Sequence, residues 1–324
     1  MIKLKSIFNN SFFKITIKST CLLALLVIQS CASPPAPRPK AIIEAEYFLQ
    51  QGTSAFYNDE YPLAASSFTQ ALKIYRSIDD ASGMLDSYIN LMETSLAIGN
   101  LTLAHQQLLN IETMLSSDSE NTHRSRVTLL TVKLLFVEEQ YVQAINILQP
   151  LLPAFNSQQQ VEAVDSNTLN IISSMARLAV LTQRNDATLW LQRLRLAINQ
   201  DDKNHDRFRA LYLRILALQK QQEGKFSDSK KLLNEALSIY HDQAYRRGIA
   251  ASLQQLANLE ILQQNWNQAD ALLQRALQIN LWTLNQREAK KVLEQLIVTN
   301  KKLNNDDLVD SFDEQLKKLG VNSN

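Results

Sequence analysis

The chain has 324 residues, of which 45% are hydrophobic and 20% charged, with a formal net charge of +1, 6 glycines and 7 prolines. That apolar share is enough for a sizeable core in an ordinary soluble protein, and so little Gly and Pro excludes an all-β or loop-rich fold. The near-neutral balance argues against general nucleic-acid binding.

In chain order, residues 1–30 come first, with an acid-free basic front at Lys3, Lys5, Lys14 and Lys18 and an apolar core, LLALLVI, at 22–28. That core is too short to span a bilayer and reads as an export signal. Ile28, Gln29, Ser30 and Cys31 follow, an aliphatic residue, a tolerant position, a small residue and a cysteine. This set resembles the lipobox of bacterial lipoproteins. The resemblance implies cleavage before Cys31 and acylation of its thiol, with palmitate-type chains holding the protein on a membrane at about 0.8 kcal/mol per buried CH₂. Residues 31–40 then form a lipidated cysteine and a Pro-rich tether, PPAPRP. Processing would remove four lysines and leave 29 basic against 32 acidic residues, a formal balance of −3. Cys21 would leave with the signal, so neither a disulfide nor a free thiol is expected. Ala32 and Ser33 lack the aspartate associated with inner-membrane retention, so a periplasm-facing outer-membrane anchor is expected in a Gram-negative host.

From residue 41 the pattern is helical and repetitive. The stretch 247–280 reads as two helices split by a polar break at 263–265, with Ala257, Ala269 and Ala276 letting two backbones approach among Leu253, Leu256, Trp266, Leu273 and Leu277. The first hairpin, 41–76, has Gly52 in its first helix and Tyr61, Ala64, Phe68 and Ala71 in its second. This set resembles the tetratricopeptide repeat. Further hairpins are expected at 83–115, 126–152, 166–198 and 247–280, with a fifth, before the last, carried by Ala217, Gly224, Phe226, Leu233 and Ala236. The small residue of the second helix recurs at Ala64, Ala104, Ala144, Ala187, Ser229 and Ala269, steps of 40 to 43. The fourth hairpin is the most degenerate, with Arg184 where an aromatic would open its second helix. Pro150 and Pro153 are expected to kink or end the second helix of the third. Gly83 and Gly248 are expected just ahead of first helices, and Gly99 and Gly224 in turns, as loop positions with φ > 0. The expected architecture is an all-α solenoid of about six such hairpins over 41–286, closed by a capping hairpin and tail over 287–324.

The chemistry of catalysis is not legible. The four histidines, at 105, 123, 205 and 241, fall in no metal-ligand spacing, and no nucleophile, base and orienting group can be assembled. Neither cofactor nor metal is expected, and the chain reads as a non-enzyme. The repeat resemblance implies a concave groove lined by first helices that meets a peptide. Transferred to this chain it gives Glu46, Leu49, Thr53, Phe56, Ile89, Glu93, Arg126, Leu129, Lys133, Arg214, Leu218, Gln254, Asn258 and Ile261. Arg126, Lys133 and Arg214 would put positive charge in the middle of the groove, suited to a carboxylate or acidic segment. The resulting expectation is a lipid-anchored scaffold binding a protein or peptide partner in envelope assembly, such as pilus secretin, outer-membrane protein or cell-wall enzyme docking. A helical-groove enzyme or binder acting on cell-wall glycan is the alternative, and it lacks an evident acidic pair.

Overall fold

A computed structural model describes residues 38–115, 123–152, 165–198 and 205–321. The signal segment, Cys31, most of the tether, Pro153 and the loop at 156–160 lie outside these residues. By contacts the chain divides into a unit ending at Ile43 and a unit from Glu44 to Asn324. In the first, the described residues carry the opening turn of α1.

Among the described residues fourteen α-helices follow one another in antiparallel pairs: α1 Lys40–Tyr57 and α2 Tyr61–Ser77, α3 Ala81–Ile98 and α4 Leu101–Leu115, α5 Arg124–Val137 and α6 Tyr141–Leu148, α7 Ser166–Leu181 and α8 Ala187–Ala197, α9 Asp206–Gln222 and α10 Phe226–Asp242, α11 Arg246–Leu262 and α12 Trp266–Trp282, α13 Gln286–Lys302 and α14 Asp306–Val321. The fold is an all-α solenoid of six tetratricopeptide-like hairpins with a seventh as cap. Each helix packs on its sequence neighbours, and consecutive first helices also touch, as in α3 with α5, α5 with α7 and α7 with α9.

The repeat rests on a seam of small residues. Ala64, Ala104, Ala144, Ser229 and Ala269 are wholly buried, and Ala187 nearly so. Ser229 fits there because its hydroxyl donates to the Ala217 carbonyl at 2.8 Å, so no polar atom is stranded. Aromatic residues open α2, α6, α10 and α12 and wedge beside the seam. The core is therefore a string of clusters shared between neighbouring hairpins, one over α5 to α9 and another over α9 to α14.

Every turn inside a hairpin holds one residue with positive φ: Asp59, Gly99, Glu139, Gln183, Gly224, Gln264 and Asn304. The next amide reaches back five residues, as Glu60 N–H to Ala55 O at 2.8 Å and Asn265 N–H to Glu260 O at 2.9 Å, which satisfies carbonyls the helix end leaves open. Gly99 and Gly224 take the expected left-handed role. Gly83 and Gly248 do not: they are the third residues of α3 and α11, in ordinary helix. A Cβ on Gly83 would lie 2.2 Å from the Tyr75 ring, and one on Gly248 2.6 Å from the Tyr240 ring. Close packing, not backbone freedom, puts glycine there.

The fourth hairpin departs for a local reason. Its second helix starts at Ala187, one turn later than its counterparts. Arg184, in place of the aromatic, forms a fork on Asp186 at 2.8 Å, and Asp186 also accepts from Trp190 Nε1 at 3.1 Å. The third hairpin shows the proline effect, since α6 ends at Leu148 and passes into a 3₁₀ turn, Gln149–Leu151, around Pro150.

Candidate functional site

The inner faces of the first helices come together in two groups. In the first, Glu93 on α3 accepts from Lys133 Nζ at 3.2 Å and Arg126 Nη2 at 3.3 Å, both on α5, and Arg126 also donates to Asn90 at 2.6 Å. In the second, Arg214 Nε on α9 donates to Gln255 at 2.6 Å, Gln254 donates to Glu288 at 3.4 Å, and Gln295 donates to Asn258 at 2.7 Å. These residues tie α3 to α5, α9 to α11 and α11 to α13. Thr53 is exposed, and its hydroxyl is returned to the Leu49 carbonyl at 2.8 Å. Glu46 and Phe56 are half-buried. Two expected groove residues are not surface at all: Leu129 packs in the core shared by α5 to α9, and Ile89 is wholly buried. Their apolar side chains complete helix packing, which from sequence looks the same as an exposed apolar stripe.

The array also closes on itself. Arg246 Nη1 at the start of α11 donates to Asp59 Oδ2, in the α1–α2 turn, at 3.1 Å, and Arg247 Nε lies 3.9 Å from Asp59 Oδ1. Tyr61 donates to the same carboxylate at 2.6 Å. The Arg247 guanidinium sits over the rings of Phe56 and Tyr61 at 5.1 and 5.3 Å. Farther along, Arg287 of α13 donates to the carbonyl of Val137, and a Cβ on Gly99 would lie 2.6 Å from Arg287 Cβ. The sixth and seventh hairpins thus touch the first three.

This return borders a half-open cavity of about 340 Å³. One wall is built on the repeat period: Glu93, Leu96 and Ala97 of α3, Lys133, Phe136 and Val137 of α5, and Ser174, Arg177 and Leu178 of α7 occupy equivalent positions, joined by Val132. Tyr245 from the α10–α11 turn and Arg247 from the first turn of α11 face them. Arg177 stacks on the Phe136 ring, 3.7 Å from its centroid, and pairs with no carboxylate among the described residues. Burial, and then the like charge of Arg214, push its pKa down to about 9, so at neutral pH it stays a cation at a cost. Of these, sequence reasoning found Glu93 and Lys133 and missed Phe136, Arg177, Tyr245 and Arg247. One signal was available, since Phe136 and Arg177 stand one repeat period apart.

Burial works to raise the Glu93 pKa, but the charges of Lys133 and Arg126 overcome it and hold it below the ordinary value of 4.5. A depressed carboxylate stabilises the fold above its unfolded pKa and loses that contribution as pH falls through its folded one. Melting curves recorded downward from pH 5 therefore have an acid limb to which Glu93 contributes, and Glu93→Gln flattens it. The partners are half-exposed, so the expected difference is about 1 kcal/mol or less. An unchanged acid limb in the variant is the contrary result.

Among the described residues no group of three His, Cys, Asp or Glu side chains is placed to hold a metal, and no helix is long and apolar enough to cross a membrane. No protein-family model matches the chain, and no curated protein matches it in sequence. Among solved structures it is similar to the apo form of RapI, with 11% identity, 85% of this chain and 76% of that chain covered, and a TM-score of 0.48. It is similar to BtubC (BKLC) from P. vanneervenii, with 14% identity, 73% and 91% covered, and a TM-score of 0.46. It is also similar to a tetratricopeptide repeat protein from Parabacteroides merdae, with 14% identity, 83% and 98% covered, and a TM-score of 0.42. At such identities no residue of those proteins is carried over to this chain.

Proposed function

We propose that the protein is a lipid-anchored scaffold of the cell envelope, held by an acylated Cys31 and binding a protein or peptide partner along the inner faces of its first helices. The observation that carries the binding half is the stack itself. Six hairpins bury their small-residue seams, while on the inner faces Thr53 stays exposed and Phe56 and Glu93 stay part-exposed. The motif at residues 28–31 and the Pro-rich stretch after it support the anchored half. Periplasmic exposure from the outer membrane follows if the host is Gram-negative.

Crosslinking capture from native cells, with wild type beside Cys31→Ala and Thr53→Arg, tests both halves. Thr53 is exposed and bonds only within its own helix, so an arginine there obstructs the surface without unfolding it. The expected result is an acylated wild type that sediments with outer membrane and holds one dominant envelope protein. Cys31→Ala releases it to the soluble fraction, and Thr53→Arg loses the partner at an unchanged melting temperature. A wild type without lipid overturns the anchor, and identical capture by Thr53→Arg overturns the surface.

A further inference from the structure

We infer that the half-open cavity is a binding site for a small monoanion, a carboxylate carried on an apolar body. Its volume of about 340 Å³ falls at the lower end of small-molecule sites, which run from about 300 to 1,000 Å³. This is a different occupant from the protein partner proposed above and does not depend on it.

The charge of the lining sets the sign. Lys133, Arg177 and Arg247 face one carboxylate, Glu93, which leaves a formal surplus of two positive charges. Two of these cations have unused hydrogen-bonding capacity. Arg177 has its flat face on Phe136, so its N–H edge is what remains to meet a ligand, and among the described residues no carboxylate lies within ion-pair distance of it. Arg247 Nε is buried without a hydrogen-bond acceptor, its nearest carboxylate oxygen being 3.9 Å away. A buried donor left in that state is costly, and a charged one more so. A planar carboxylate meets the edge of a guanidinium with two parallel hydrogen bonds.

The same wall selects against inorganic phosphate by its apolar side chains, which a phosphate, having no apolar body, cannot cover. Leu96, Val132, Phe136 and Leu178 supply most of the rest of the surface, and beside the charged groups only the Ser174 and Tyr245 hydroxyls are polar. That fixes the apolar half of the class.

The test is isothermal titration of the purified full-length protein with 4-phenylbutyrate, octanoate and inorganic phosphate, beside the neutral 4-phenylbutanamide. A carboxylate binds at least roughly tenfold more tightly than the amide, and phosphate binds weakly or not at all. Arg177→Met, which removes the unpaired charge and keeps the volume, loses roughly tenfold or more in carboxylate affinity, with its helicity intact by circular dichroism. A free small acid and an acidic peptide share this chemistry. A short acetylated Leu-Glu-Phe peptide amide distinguishes them by failing to compete with 4-phenylbutyrate. Equal affinity for acid and amide, tighter binding of phosphate, wild-type affinity in folded Arg177→Met, or no heat from either acid at millimolar concentration overturns the site. If Arg177→Met does not fold, the acid and amide comparison on wild type still decides. Loss of the envelope partner in Thr53→Arg leaves these titrations unchanged, so the two proposals fail separately.

Discussion

Phe68→Ala is expected to destabilise the protein by about 3–5 kcal/mol, and to do so locally. Phe68 is 2% exposed and belongs to a small cluster with Ala55 and Ala64, flanked by Leu49, Phe56 and Leu91. Its ring lies so close to Gly52 that a Cβ there would stand 2.5 Å from it. The ring is therefore the main filling between α1 and α2, and no bulky neighbour can move in from the glycine side. In an array of this kind each hairpin owes its stability to itself and its neighbours, so the loss should stay near the defect. Hydrogen exchange followed by mass spectrometry should show α1 and α2 losing protection while α9, α10 and α12 keep theirs. The start of α11 should loosen as well, because Arg246 is tied to Asp59 across the closure at 3.1 Å. Uniform loss of protection along the chain would mean that the array unfolds as one body and would contradict the modular picture.

The fold was legible because its determinants are local and recur. Ala64, Ala104, Ala144, Ala187, Ser229 and Ala269 set the period, and all six are buried in the seam. Helix ends were legible where an aromatic opened the second helix, and less so at Ala187, where the Arg184–Asp186 fork replaces it. The site was legible only in part. Glu93 and Lys133 sit one period apart on neighbouring first helices, with Arg126 two turns before Lys133 on the same helix, and a periodic reading brings them together. The contacts of Arg246 with Asp59 and of Arg287 with Val137 join residues far apart in sequence, and no period encodes them. They depend on the accumulated rotation of six hairpins, a property of the whole stack that no single hairpin displays. Tyr245 and Arg247 were missed for that reason, and Arg177 because the fourth hairpin looked least like a repeat.

Gly83→Ala is expected to destabilise, against the usual sign for this substitution in a helix. In an open helical position the change is favourable by about 0.5–1 kcal/mol, because alanine restricts the unfolded chain and suits the helix. Here the added methyl carbon would lie 2.2 Å from Tyr75 Cδ1 and 2.4 Å from Cγ and Cε1. Those atoms are near the root of a ring that is itself buried among Ala45, Ala71 and Met84, so the ring cannot swing aside. Overpacking of this kind costs about 1–3 kcal/mol, which outweighs the propensity gain. The same tyrosine and glycine stand eight residues apart at Tyr240 and Gly248, so the clash should recur there in weaker form, at 2.6 Å. Urea denaturation of Gly83→Ala, Tyr75→Leu and the double variant separates the causes. If the ring is the obstacle, the double variant is more stable than the sum of the single losses by more than about 1 kcal/mol. A stabilised Gly83→Ala, or strict additivity, would show that the ring yields and that glycine is not required by packing at this joint between the first and second hairpins.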